Sequence, residues 1–403
     1  MTNDTKTTVQ STQLLTSISY LAMFSVGLVV GSLGPLLVPI SDFFQLRIAQ
    51  VGYPVVFLAL GFLAGTMVVS FAWHRCNSRM ILTFFSLCFV LLSLLIALFP
   101  YGIGKVLAFL FGLGLSGGTI VTGIGSLFSE LHGQVRERTL NVLHVFVGAG
   151  AAVGPLVVGI LLTYTSRWQL TYLLIASVSA PLPLLFLAKS LYTEACPLEE
   201  REAIRQSLKQ KKPLRSILFW SSIIAMFLYV GIEASFTSWT PVFLTRARGF
   251  SPIWASYTIS FFWLGLILGR AVLSRFLRKE TLLSFLTLAA AGAALFSSLT
   301  FLNVKGIALV FLVTCSGLSL GCVFPGLLAL SANIFPRQVG FISGVVTGGG
   351  TTGSMVFPWI IGSFAAAVGL KTAVFLIPVL GGVLVSVLLY VRYPLNRLSV
   401  RRR

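Results

Sequence analysis

Twelve stretches of this sequence are apolar for long enough to cross a lipid bilayer, and that constrains the fold more than any motif does. A helix needs about 20 mostly apolar residues to span the hydrocarbon core. The runs cover 14–41, 49–73, 80–99, 104–129, 138–165, 168–190, 215–244, 251–275, 281–300, 305–335, 338–368 and 371–391. They are continuously apolar rather than alternating, so they predict helices and not barrel strands. Of the 403 residues, 56% are hydrophobic and 10% charged, against roughly 25% charged in soluble domains. A soluble enzyme, a disordered chain and a disulfide-stapled secreted domain are excluded. An all-α integral membrane protein with twelve transmembrane helices is expected. The first run is too long for a signal-peptide core and no small-residue cleavage site follows it, so it is read as a retained span.

The formal net charge of +19 raises nucleic acid, anionic lipid, an anionic substrate or membrane topology as explanations. Twelve spans place both termini on one side. If that side is the cytoplasm, 21 of the 29 basic residues fall in inner loops and tails, 7 fall in outer loops, and Arg270 lies within a span. This bias is the positive-inside signature. It predicts an inner-membrane protein with both termini cytoplasmic and requires no nucleic-acid partner. The lipid bilayer is the partner, and the basic stretch 397–403 is suited to anionic headgroups.

One segment interrupts the apolar pattern. Residues 193–214, with the run CPLEEREAIRQSLKQKKP, are charged, helix-prone and bounded by prolines. They read as a cytoplasmic linker between six spans (1–192) and six more (215–403). The two halves carry the same glycine pattern at a nearly fixed offset. Gly61 and Gly65 match Gly265 and Gly269, offset by 204. Gly114-Leu-Ser-Gly-Gly matches Gly317-Leu-Ser-Leu-Gly, and Gly150, Pro155 and Gly159 match Gly353, Pro358 and Gly362, all offset by 203. Gly27 and Pro35 recur loosely as Gly231 and Pro241. Because both halves run in the same direction, the chain is expected to form two parallel six-helix pseudo-repeats, an architecture suited to alternating access.

Three local patterns carry a family resemblance. The loop after the second run reads His74-Arg75-Cys76-Asn77-Ser78-Arg79. The fifth run holds Leu140-Asn141-Val142-Leu143-His144 followed by Gly148-Ala-Gly150-Ala-Ala-Val-Gly154-Pro155. The seventh and eighth runs hold Tyr229-Val230-Gly231-Ile232-Glu233 with Trp239, then Ser260-Phe-Phe-Trp263-Leu-Gly265 and Gly269-Arg270. Over essentially its whole length the chain resembles the major facilitator superfamily, and the last two patterns resemble its fucose permease-like sugar transporter branch. The superfamily typically has Asp-Arg-x-Gly-Arg-Arg in the first loop. Here the arginines match, and the aspartate and glycine do not. The resemblance implies that Arg75 and Arg79 gate the inner face. Branch members use acids in the first half for proton coupling. This chain has none in its first run and only Glu130, at the inner end of its fourth, so that feature does not transfer.

An ionisable side chain inside a membrane is costly and is a candidate for function. Glu233 stands out. The resemblance places runs one, four, seven and ten around a cavity, where Glu233 is expected to bind substrate or exchange a coupling ion, proton or sodium. The alternative is a structural carboxyl bonded to a neighbouring helix. Arg270 reads as a gating or packing residue, or as a partner of an acid or anion. His144 lies one turn from both Asn141 and Gly148, so Asn141 and His144 are candidate substrate ligands or polar packing groups. Thr119 and Thr122 belong to a hydroxyl stripe in the fourth run, and Ser319 lies in the matching glycine-rich stretch of the tenth. Such stripes line pathways or serve as interhelical glue. Trp239 and Trp263 are candidates for stacking on a sugar ring.

Metal and cofactor sites are not expected. The histidines are scattered. Gly112–Gly117 and Gly348–Gly353 match G-x-G-x-x-G, but inside apolar helices rather than strand–helix turns. No P-loop and no catalytic constellation occurs, so no enzyme is expected. The cysteines form no C-x-x-C pair. The leading expectation is a monomeric secondary transporter of a small polar organic solute, most plainly a sugar or sugar derivative. The alternatives are an exporter of amphipathic or anionic compounds and a non-transporting membrane sensor or assembly factor.

Overall fold

The computed structural model describes residues 3–73, 76–99, 102–131, 136–188, 216–272, 281–336 and 338–400. The expected linker over 193–214 lies outside them. Among the described residues, twelve helices are long and apolar enough to cross a membrane: Gln13–Phe43 (α1), Ile48–Ala72 (α2), Ser78–Leu98 (α3), Ile103–Phe128 (α4), Val142–Thr165 (α5), Gln169–Leu187 (α6), Ile217–Ala247 (α7), Pro252–Ala271 (α8), Leu282–Phe301 (α9), Gly306–Ile334 (α10), Phe341–Val368 (α11) and Leu370–Arg392 (α12). Among the described residues there is no strand. Helix is the form that satisfies every backbone donor and acceptor within one segment in lipid.

Proline explains the irregular places. In α6 the helix stops at Ser179 and restarts at Leu182, because Pro181 has no N–H to continue the ladder. In α10 the break falls at Cys322, between Gly306–Gly321 and Val323–Ile334. Pro325, in the first turn after it, cannot donate to Gly321. Pro241 precedes the π-helical turn Phe243–Ala247 that ends α7.

The chain divides into two compact units. Unit 1 comprises Met1–Gln45 and Tyr53–Pro197, and unit 2 comprises Leu46–Gly52 and Leu198–Arg403. Within unit 1, α1 packs on α5, α2 on α4, and α3 on α4 and α6. Within unit 2, α7 packs on α11, α8 on α10, and α9 on α10 and α12. The packing scheme of the first six helices is thus repeated by the second six.

The repeated glycines lie where helix backbones touch. A β-carbon on Gly61 or Gly65 would overlap the carbonyls of Phe111 and Leu115, and one on Gly265 or Gly269 would overlap those of Thr314 and Leu318. The reverse contacts repeat too: Gly114 against Leu58 and Gly118 against Phe62, then Gly317 against Phe262 and Gly321 against Leu266. In the α1–α5 and α7–α11 pairs, Gly150 meets Phe24 as Gly353 meets Phe227. These partners align α1 with α7 at an offset of 203, so Gly231 corresponds to Leu28. The loose match of Gly27 with Gly231 is one residue out of register.

Lipid tails are as apolar as leucine, so helices in a bilayer associate through close packing rather than through hydrophobic expulsion. Gly265→Val puts a branched side chain against a fixed carbonyl and should cost about 1–3 kcal/mol or more. Gly344 has nothing within 4 Å of its would-be β-carbon, and Gly344→Ala should leave stability unchanged or slightly raised. The midpoint of thermal unfolding of the detergent-purified protein reads both. Equal midpoints for the two variants would remove the backbone contact as the cause of α8–α10 pairing.

Candidate functional site

The polar centre of unit 2 is built from α7 outward. Residues four apart on a helix lie one above the other, and Tyr229 and Glu233 are so spaced. The Tyr229 hydroxyl, fully buried, donates to Glu233 Oε2. Arg270, near the end of α8, brings Nη2 to 4.0 Å from the same oxygen, with the Arg270 and Glu233 side chains 22% and 16% exposed. The break in α10 places Phe324 beside this cluster. The Arg270 guanidinium carbon lies 5.9 Å from the Phe324 ring centroid, within cation–π range. Arg270 Nε is buried with no hydrogen-bond partner. Spacing alone did not predict that Arg270 and Glu233 meet; the fold joins them.

The α7 and α8 faces meet through Phe236 and Phe262, whose rings stack with centroids 4.8 Å apart. On the same face of α8 as Arg270, two turns away, Trp263 is 4% exposed and its indole N–H has no partner. Ser319, on α10, is 8% exposed. Trp239 is fully buried, and its indole N–H donates to the Pro358 carbonyl at 3.0 Å. In this conformation it braces α7 against α11. Gly52 and Gly362 leave room for its ring, which a β-carbon at either position would meet.

The candidates in unit 1 stand in other surroundings. Thr119 is buried, and its hydroxyl bonds the Leu115 carbonyl at 2.8 Å and the Gly65 carbonyl of α2 at 3.3 Å. Thr122 bonds Thr66 of α2 at 3.3 Å. Both tie α4 to α2. His144 is exposed on α5. Asn141 lies in the same helix, and its side chain is outside the described residues, as is Arg75. Arg79 sits at the start of α3 and donates to the Leu187 carbonyl of α6 at 3.4 Å.

The repeat gives an internal comparison. At the packing offsets of 203 for α1–α7 and 204 for α2–α8, Tyr229, Glu233 and Arg270 correspond to Val26, Val30 and Thr66. The charged cluster therefore belongs to unit 2 alone. Two of its members were not singled out from the sequence. Tyr229 was legible as the residue one turn before Glu233. Phe324 had no such signal, because the break in α10 brings it into place.

Twelve spans among the described residues, in two like-packed sets of six, are an architecture used by membrane transporters. The chain belongs to the Major Facilitator Superfamily, whose sequence profile its residues 19–315 match. It is 24% identical over 363 residues to the glucose/mannose transporter GlcP of Bacillus subtilis, covering 85% of this chain and 86% of that protein. It is 22% identical over 378 residues to a TsgA homolog of Buchnera aphidicola, covering 92% and 93%. A match to the Saccharomyces cerevisiae bypass of stop codon protein 6 is 26% identical and spans 64% of this chain but only 58% of the yeast protein. Among solved structures, the D-xylose–proton symporter has the same fold, with a TM-score of 0.75 at 13% identity over 94% of this chain and 96% of that one.

Removing one partner of a buried ion pair leaves an uncompensated charge, which costs about 3–5 kcal/mol when burial is complete. With about a fifth of each side chain exposed, Arg270→Met should cost roughly 2 kcal/mol. Adding Glu233→Gln should restore most of that, because the remaining site is neutral. A double-mutant cycle in unfolding midpoints measures the coupling, and additive losses would show that the two groups do not interact.

Proposed function

We propose that the protein is a secondary active transporter of a small polar organic solute, a sugar or sugar derivative, working by alternating access and coupled to a proton or sodium ion. The observation that carries this reading is the Glu233–Tyr229–Arg270 cluster, a mid-span carboxyl in an apolar helix of a major facilitator fold, paired with an arginine from the last turn of the neighbouring helix. Buried ionisable groups in membrane helices persist where they bind or move something. The sugar class takes support from the likeness to GlcP, a glucose/mannose transporter, and to the D-xylose–proton symporter.

In unit 2 the proposed solute contacts are Glu233, Trp263 and Ser319, with Trp239 positioning the helix that carries Glu233. Trp263 offers an unpaired indole N–H and a ring face suited to a sugar's apolar side. Glu233 is also the proposed coupling group, as the ionisable side chain in the middle of its span. Arg270 acts as its counter-charge, and Arg75 and Arg79 are proposed to gate. Asn141, His144, Thr119 and Thr122 are the proposed contacts of unit 1, each tested by substitution to alanine. The loop charge bias supports placing both termini in the cytoplasm, in a cell membrane, with the chain acting as a monomer.

Uptake of labelled glucose, mannose and xylose into proteoliposomes tests this reading. With an imposed proton or sodium gradient, wild-type protein should accumulate at least one of them above equilibrium. Glu233→Gln should lose accumulation while keeping exchange of solute across the membrane. Full accumulation by Glu233→Gln with unchanged pH dependence would assign coupling elsewhere.

A further inference from the structure

We propose that the unit 2 site, while Glu233 and Arg270 are paired, selects neutral polyhydroxy solutes and rejects their acid and amine counterparts, because the two charges of the pair cancel. The inference rests on the reading of this cluster as a solute site and adds the charge of what it takes. Among the described side chains within the spans, the other ionised groups lie at or near span ends: Asp42, Arg79, Lys105, Arg246, Lys371 and Arg392. Glu233 lies in the middle of α7, and Arg270, in the last turn of α8, faces it at 4.0 Å. In the first repeat the matching positions are Val26, Val30 and Thr66, which bring no charge.

The partners of each group fix what a solute can do there. Tyr229 already donates to Glu233 Oε2, and Phe324 lies within cation–π range of the Arg270 guanidinium. The Thr237 hydroxyl is taken by the Glu233 carbonyl at 2.9 Å. A solute carboxylate would have Arg270 as its one cation, and that cation is already shared with Glu233. Two carboxylates would then crowd one guanidinium in a medium of low dielectric, where like charges raise each other's cost steeply. A solute ammonium meets the mirror problem with Arg270. A hydroxyl has neither, since it is donor and acceptor at once. It can donate to a Glu233 oxygen and accept from an Arg270 N–H while the pair stays balanced. Charge rejection of this kind gives specificity through the penalty placed on the wrong solute.

The test uses the full-length purified protein and three probes of one ring: glucose, glucosamine and glucuronate. The same three forms of galactose and mannose are measured beside them at matched ionic strength. Affinity is read from the rise in unfolding midpoint with ligand concentration. In at least one series the neutral sugar should bind at least tenfold more tightly than the uronate and the amine. Glu233→Gln leaves Arg270 unbalanced and should move the preference toward the uronate by at least tenfold. Arg270→Gln should move it toward the amine, and it serves as the independent variant if the first fails to fold. Uronate or amine binding as tight as the neutral sugar in wild type would overturn the charge-balance proposal while leaving the solute site standing. So would a preference that neither folded variant changes. Binding of no member of any series would overturn the solute reading itself, and this proposal with it.

Discussion

Close approach of helix backbones is the constraint on which the rest of this structure depends. In a bilayer nothing expels one apolar helix onto another, so each pair must find contacts that lipid cannot supply. Here the pairs α2–α4 and α8–α10 meet glycine to carbonyl at four places each: Gly61, Gly65, Gly114 and Gly118, then Gly265, Gly269, Gly317 and Gly321. These contacts fix register as well as distance, because a shift by one residue would replace a glycine with a side chain. The fixed register of α8 then decides where Arg270 arrives, one residue beyond the last of its glycines.

That arrival gives unit 2 its chemistry. Glu233 alone would be an expensive carboxyl in an apolar helix. Tyr229 from the turn below and Arg270 from the neighbouring helix give it a donor and a counter-charge. The same backbone frame in unit 1 carries Val26, Val30 and Thr66 at these places, and there Thr66 bonds Thr122 instead. One scaffold, used twice, therefore holds two different interiors. The glycines preserve the frame, and the positions between them are free to diverge.

Much of the fold was legible in the sequence because its signals are local or repeated. Apolar length announces a span, and the glycines at offsets of 203 and 204 lie at the actual backbone contacts. The near-constant offset held even though it could not resolve the α1–α7 register, where Gly231 corresponds to Leu28 rather than Gly27. Glu233 was legible as a charge out of place. Its partnership with Arg270 was not, because it depends on the distance between two helices and not on spacing along either. The hydroxyls of Thr119 and Thr122 read equally as pathway or glue, and the structure has them tying α4 to α2. Trp239 and Trp263 looked alike in sequence. Packing separates them, since Trp239 donates to Pro358 and Trp263 has no such partner.

We propose that the Glu233–Arg270 pair is where this transporter meets its solute. The most direct measurement is an experimental structure of the full chain with a neutral sugar bound, at a resolution that shows side chains. Sugar hydroxyls are expected within hydrogen-bond distance of both Glu233 and Arg270, with Tyr229 still on Glu233. A sugar bound elsewhere in the chain, with the pair intact and untouched, would contradict it.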